Sequence, residues 1–172
     1  MSRVLHCDPP DPVLFAPFGR FVTAPERPGE RAFFSDHLGA SAPNTAPVLH
    51  VNKVPASTLP FRLTSVERHP HADQVFIPLD VSRYLAVVMP SDRRGDPVPA
   101  GARAFLLSGT LGIAYRTGVW HAGATVLDRT GSFAVLMWRG AENDDEFRSI
   151  DPVTVEAARP EPATAEAWRA EA

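Results

Sequence analysis

The chemistry-bearing residues of this chain fall into two short stretches, Glu67-Arg68-His69-Pro70-His71-Ala72-Asp73-Gln74 and Gly118-Val119-Trp120-His121. Carboxylates and imidazoles are the side chains that bind divalent metals and exchange protons in catalysis. Glu67 and His69 stand two positions apart, so an extended backbone projects both from one face toward a common point. Pro70 favours that geometry, because the residue before a proline is pushed out of the helical region. The spacing therefore predicts a strand-end pair, Glu67 with His69, which His121 joins from a distant element to form a metal or acid-base site.

Such a site needs a scaffold, and the punctuation of the chain indicates which kind. Eighteen prolines and eleven glycines are scattered along 172 residues, cutting the chain into pieces too short for most helices. Strand-like runs occupy residues 48–54, 74–79, 84–89, 102–107, 124–127 and 132–138. Residues 91–97 and Asp128-Arg129-Thr130-Gly131 carry turn chemistry, the second being short enough for a hairpin. An all-β, jelly-roll-like barrel is expected, in one domain spanning residues 1–150. Within it, residues 1 to about 45, with Phe15, Phe18, Phe21, Phe33 and Phe34, read as an arm that wraps the barrel and includes at most a short helix. Residues 151–172, poor in large apolar side chains and interrupted by Pro160 and Pro162, read as a frayed C-terminal tail.

Composition excludes several classes. Seventeen basic and twenty acidic side chains give a net charge of -3, and without a block of like charge a nucleic-acid partner is not expected. The single Cys7 cannot pair internally and reads as an inert reduced thiol. No apolar run approaches a membrane span, and residues 1–6 lack the apolar core of a secretory signal, so a cytoplasmic, unprocessed protein with no membrane partner is expected. There is no Gly-x-Ser-x-Gly elbow. Gly109-Thr110-Leu111-Gly112 lacks the lysine and the glycine spacing of a phosphate loop, and one cysteine rules out a Cys-rich zinc site.

The remaining constellation resembles the two motifs of cupin barrels, His-x-His followed by Glu and then Pro-x-Gly-x-x-His. In that frame Glu67 takes the first histidine place, His69 the second, Gln74 the glutamate place and His121 the last ligand, while Arg116 stands at the proline. A register using His69 and His71 fails, because Phe76 would then fall at the carboxylate position. His6, His37 and His50 have no usable spacing, and His71 reads as an exposed turn residue. More narrowly, Leu49-His50-Val51-Asn52-Lys53, Glu67-Arg68-His69-Pro70, Gln74-Val75-Phe76-Ile77-Pro78, Gly118-Val119-Trp120-His121 and Arg139-Gly140, in this order, resemble the ureidoglycolate lyase family over roughly residues 13 to 150.

The resemblance implies a dimeric enzyme that cleaves ureidoglycolate to glyoxylate and urea, with a divalent metal (nickel, manganese, iron or zinc) and no organic cofactor. It implies metal ligation by Glu67, His69, Gln74 and His121, and catalytic roles for Glu67, His69, His121 and Tyr115. Lys53, Arg116 and Arg139 would meet a small-molecule substrate's carboxylate, and Trp120 would form an apolar wall. The chain departs from the family at Ala114 and Arg116, at Ala122-Gly123 and at Trp138, positions where members carry other, mostly polar, groups. If these line the pocket, it has been re-cut for a larger or more apolar acid. Two alternatives therefore stand beside the lyase. One is a related cupin dehydratase, isomerase or decarboxylase acting on another small carboxylic acid; the other is a non-catalytic binding protein.

Overall fold

The computed structural model describes residues 3–35, 38 and 42–158. In chain order its elements are β1 (Arg3–Asp8), α1 (Pro12–Phe15), β2 (Gly19–Val22), β3 (Ala46–Val54), β4 (Ala56–Ser57), β5 (Phe61–Arg68), β6 (Gln74–Pro78), β7 (Arg83–Met89), β8 (Arg103–Ser108), β9 (Gly112–Tyr115), β10 (Trp120–His121), β11 (Thr125–Leu127), β12 (Gly131–Arg139) and β13 (Glu146–Glu156). The expectation of an all-β barrel holds. No helix among the described residues is long and apolar enough to cross a membrane.

Two sheets form. One runs β10-β5-β13-β1-β8-β7-β11-β4, and because β10 also pairs with β7, its strands β10, β5, β13, β1, β8 and β7 close into a ring. The other runs β2-β9-β6-β12-β3. Period-2 alternation divides the side chains between two cores. Leu5, Val66, Val87, Met89, Ala104, Trp120 and Val153, drawn from every strand of the ring, fill its interior. The alternate residues Ala86, Val88, Phe105 and Leu107 face outward from the ring and pack against Phe76, Ile113, Tyr115, Phe133 and Val135 of the second sheet. The candidate site lies at one end of this inter-sheet layer.

Three expectations are corrected. The N-terminal segment does not merely wrap the barrel: β1 is an interior strand, paired in parallel with β13 and β8. Asp11 caps α1, its carboxylate accepting the Val13 and Leu14 N–H groups at 2.8 and 3.0 Å, and Pro12 opens the helix. This single turn drops Phe15 into the inter-sheet core, stacked on Phe21 with centroids 4.7 Å apart. Second, the boundary at residue 150 falls inside β13, whose Val153 and Val155 are fully buried; two well-placed valines suffice for a strand in a sequence otherwise poor in apolar bulk. The rest of the expected tail, from residue 159, lies outside the described residues, as does His37. Third, the Asp128–Gly131 turn is not a hairpin. It carries the chain from β11 in one sheet to β12 in the other, with Asp128 left-handed at φ 69°. Residues 91–97, by contrast, do join an antiparallel pair, β7 with β8.

Candidate metal centre

Register brings the two sequence stretches together. His121 stands directly opposite Glu67 across the β10–β5 pair, so both side chains leave the same face. Gln74 begins β6, opposite Tyr115 on one side and Met137 on the other. His69 follows the last residue of β5, at the strand end that Pro70 predicts. One ligand atom from each of Glu67, His69 and His121 lies within 4.8 Å of the others. His121 Nε2 is 3.6 Å from Glu67 Oε1 and 3.1 Å from Gln74 Oε1. Both histidines are sealed from solvent, at 4 % exposure for His69 and 1 % for His121.

The protons on these rings follow from their neighbours. His121 Nδ1 lies 2.9 Å from the Val119 carbonyl and Nε2 3.1 Å from the Gln74 amide oxygen, both acceptors; with one proton on the ring, the shorter contact to the fixed backbone carbonyl takes it, and Nε2 bears a lone pair. His69 Nδ1 donates in the same way to Asp145 Oδ1 at 2.8 Å. Its Nε2 is buried without a hydrogen-bond partner among the described residues. Both Nε2 lone pairs, the Glu67 carboxylate and the Gln74 carbonyl oxygen are thus acceptors with no donor supplied among them. Burying an unpaired acceptor costs about 1–3 kcal/mol, and facing it with others adds repulsion that a cation would reverse. The donor set therefore fits a divalent metal of the nitrogen- and oxygen-preferring kind.

The electrostatics agree with that reading. Burial, reinforced by the neighbouring His69 and only partly opposed by the Val119 carbonyl, pushes the His121 pKa down to about 3, so the ring stays neutral. Burial likewise raises the Glu67 carboxyl, although His69 pulls it back. Asp145 is held below the usual carboxylate range: burial works against its charge, but hydrogen bonds and proximity to Arg139, with His69 adding to them, outweigh it. Burial raises the Tyr115 hydroxyl far above its ordinary value.

Of the residues expected to surround the ligands, only some arrive. Tyr115 does, stacked on His121. Trp120 does not: it precedes His121 on β10, so it points into the ring core, where its indole N–H donates to the Gly95 carbonyl at 2.9 Å and Arg68 covers its face. Arg116 follows inward-facing Tyr115 and is exposed, its Nε donating to the Ala16 carbonyl at 3.2 Å. Lys53 pairs with Ser132, whose neighbours on β12 alternate inward, and therefore lies on the exposed outer face. Arg139 is near the cluster, but its fork is occupied by Asp145, at 2.7 and 2.9 Å.

The same alternation relocates the departures. Ala114 and Arg116 flank Tyr115, Ala122 packs in the ring core, and the Trp138 indole donates to the Leu38 carbonyl. Gly123 alone borders the cluster, where a Cβ would stand 3.7 Å from Glu67 Oε1. The expectation of a re-cut pocket thus rests on Gly123. Asp145 was missed by sequence reasoning. Its only advance signal was the acidic run Asp144-Asp145-Glu146 shortly after Arg139-Gly140.

The profile of the ureidoglycolate lyase family matches residues 2–156. The chain belongs to the ureidoglycolate lyase family. Among its relatives, the ureidoglycolate lyase of Burkholderia cepacia is 36% identical over 77% of this chain and 79% of its own. The ureidoglycolate lyase of Pseudomonas aeruginosa strain PAO1 is 31% identical over 87% of this chain and 93% of its own. A solved dTDP-4-dehydrorhamnose 3,5-epimerase from Elizabethkingia anophelis matches 57% of this chain and 53% of its own, at 14% identity and a TM-score of 0.41. As a member of the lyase family, the chain carries the Glu67, His69, Gln74 and His121 cluster inside the matched region.

Proposed function

We propose that this protein is a ureidoglycolate lyase, cleaving the C–N bond of ureidoglycolate to give glyoxylate and urea. One observation carries the reading: in a chain of that family, two buried imidazoles turn unprotonated Nε2 atoms toward the Glu67 carboxylate and the Gln74 amide oxygen. The elimination moves one proton off the substrate hydroxyl as its oxygen becomes the glyoxylate carbonyl, and one proton onto the urea nitrogen as the C–N bond breaks. A divalent ion held by Glu67, His69, Gln74 and His121 would supply Lewis acidity that makes the hydroxyl proton easier to remove.

The chain's own groups perform the remaining work. His121, held neutral by burial, keeps its Nε2 lone pair for ligation and is too weakly basic to take the hydroxyl proton itself. Glu67, more exposed than the histidines, gives the cluster its route to solvent and can hand a proton on. The Tyr115 hydroxyl, far from ionising, acts as a hydrogen-bond donor to a substrate oxygen or to the departing nitrogen.

Purified protein supplied with nickel or manganese and ureidoglycolate is expected to release urea and glyoxylate in equal amounts, with chelation abolishing the reaction. No product above the uncatalysed rate, with metal present, would overturn the assignment. Unchanged turnover in His121→Ala would remove catalysis from this site. We further infer a cytoplasmic homodimer. The exposed apolar row Leu49, Val51, Ile77 and Leu79 on the outer face of the second sheet supports self-association, and light scattering of the full chain checks it.

A further inference from the structure

The loop from β12 to β13 crosses from one sheet to the other and is tied down by its own side chains. Asp144 takes the N–H groups of Gly140 and Ala141 at 2.7 and 3.2 Å, and Gly140 adopts φ 123°, open to glycine and strained for other residues. The loop so shaped delivers Asp145 between Arg139 and His69.

We propose that Asp145 is a positioning residue that fixes the tautomer of His69, and through it the metal affinity of the cluster. The inference rests on the metal-centre reading above. A neutral imidazole has one proton to place, and a ring whose Nδ1 lacks an acceptor is free to carry that proton on Nε2. In this protein a hydrogen on His69 Nε2 would point among Glu67, Gln74 and His121 and block ligation. Asp145 prevents this by accepting from Nδ1 at 2.8 Å. Arg139, bonded to both carboxylate oxygens, keeps Asp145 in acceptor form and in place.

The shared oxygen decides how substitutions act. Asp145 Oδ1 accepts from both His69 Nδ1 and Arg139 Nη2, whereas Oδ2 accepts only from Arg139 Nη1, so the amide introduced by Asp145→Asn keeps more bonds with its oxygen at the Oδ1 place. The near-isosteric change therefore retains an acceptor at His69 Nδ1 and gives up one bond to Arg139. Asp145→Ala removes the acceptor and frees the ring to carry its proton on Nε2. Asp145→Ala should be the worse of the two.

The test pairs calorimetric titration of nickel alone into the metal-free full chain with nitrogen-15 NMR of the histidine rings. Wild type should show His69 protonated on Nδ1. Asp145→Ala should show it on Nε2 and bind nickel about 10- to 100-fold more weakly, with Asp145→Asn, which keeps the Nδ1 acceptor, in between. Nickel affinity of Asp145→Ala within about twofold of wild type would overturn the proposal, as would a wild-type His69 protonated on Nε2. If wild type bound no nickel or manganese, the metal-centre reading would fail, and the ring spectra of the metal-free protein would still decide the role of Asp145.

Discussion

The Tyr115 ring lies face to face with the His121 imidazole, their centroids 4.2 Å apart and their planes 17° from parallel. The stack joins β9 of one sheet to β10 of the other and fixes the imidazole plane, while the Val119 carbonyl fixes its proton. Tyr115→Phe keeps the ring and deletes the hydroxyl. Its kcat on ureidoglycolate is expected to fall about 100-fold with stability nearly unchanged. Tyr115→Ala empties a fully buried site and should cost about 3–5 kcal/mol of stability. Steady-state kinetics beside urea unfolding separate the two effects; an unaltered kcat in Tyr115→Phe would remove the hydroxyl from the reaction.

The depressed His121 pKa makes the metal-free fold acid-sensitive. An unfolded imidazole takes its proton as pH falls through about 6.5, whereas folded His121 resists until about 3. Between those values the unfolded chain binds more protons, so stability drops with acid by up to about 1.4 kcal/mol per pH unit from this group. Above the unfolded value the contribution is flat. Glu67 works in the opposite direction, since its raised pKa favours the folded state as the carboxyl is protonated. Comparing urea midpoints from pH 7 to pH 4.5 isolates the histidine: wild type should lose stability more steeply than His121→Gln, and parallel slopes would show that His121 is not buried neutral.

The meeting of Glu67, His69 and His121 was legible in the sequence because it rests on strand parity. The two-residue offset of Glu67 and His69, with Pro70 behind them, survives any uncertainty about sheet order, and His121 and Gln74 needed only a family frame. The surrounding residues were not legible, because their placement depends on which of two opposite faces a strand turns to the site. Trp120 and Arg116 each sit one residue from a site side chain, and that single step sends them to another core or to solvent. Asp145 depends on a loop crossing between sheets, which no local pattern encodes. The same lack of long-range information hid β1, whose place between β13 and β8 is set by partners about a hundred residues or more away.

If Lys53 and Arg116 lie off the site, their charges are dispensable. Lys53→Ala and Arg116→Ala, each mostly solvated, should leave kcat/KM for ureidoglycolate within about twofold and stability within about 0.5 kcal/mol. A tenfold or greater rise in KM for either variant would mean that its side chain reaches the substrate carboxylate after all, since an interaction worth about 1.4 kcal/mol is that ratio.

Trp120 supplies the sharpest contrast between neighbours. Its backbone adjoins that of His121, yet its indole serves the ring core, donating to Gly95 and lying under the Arg68 guanidinium, whose carbon is 4.6 Å from the ring centroid. Trp120→Phe removes the N–H, shrinks the buried surface and weakens the cation contact. Together these losses should lower stability by about 1–3 kcal/mol. Metal affinity and KM should stay within about twofold of wild type, because nothing removed faces the ligands. Urea unfolding, a nickel titration and kinetics on one preparation make the comparison. A raised KM with unchanged stability would restore Trp120 as a pocket wall and would require β10 to present its other face to the site, which its pairing of His121 with Glu67 and Val88 does not allow.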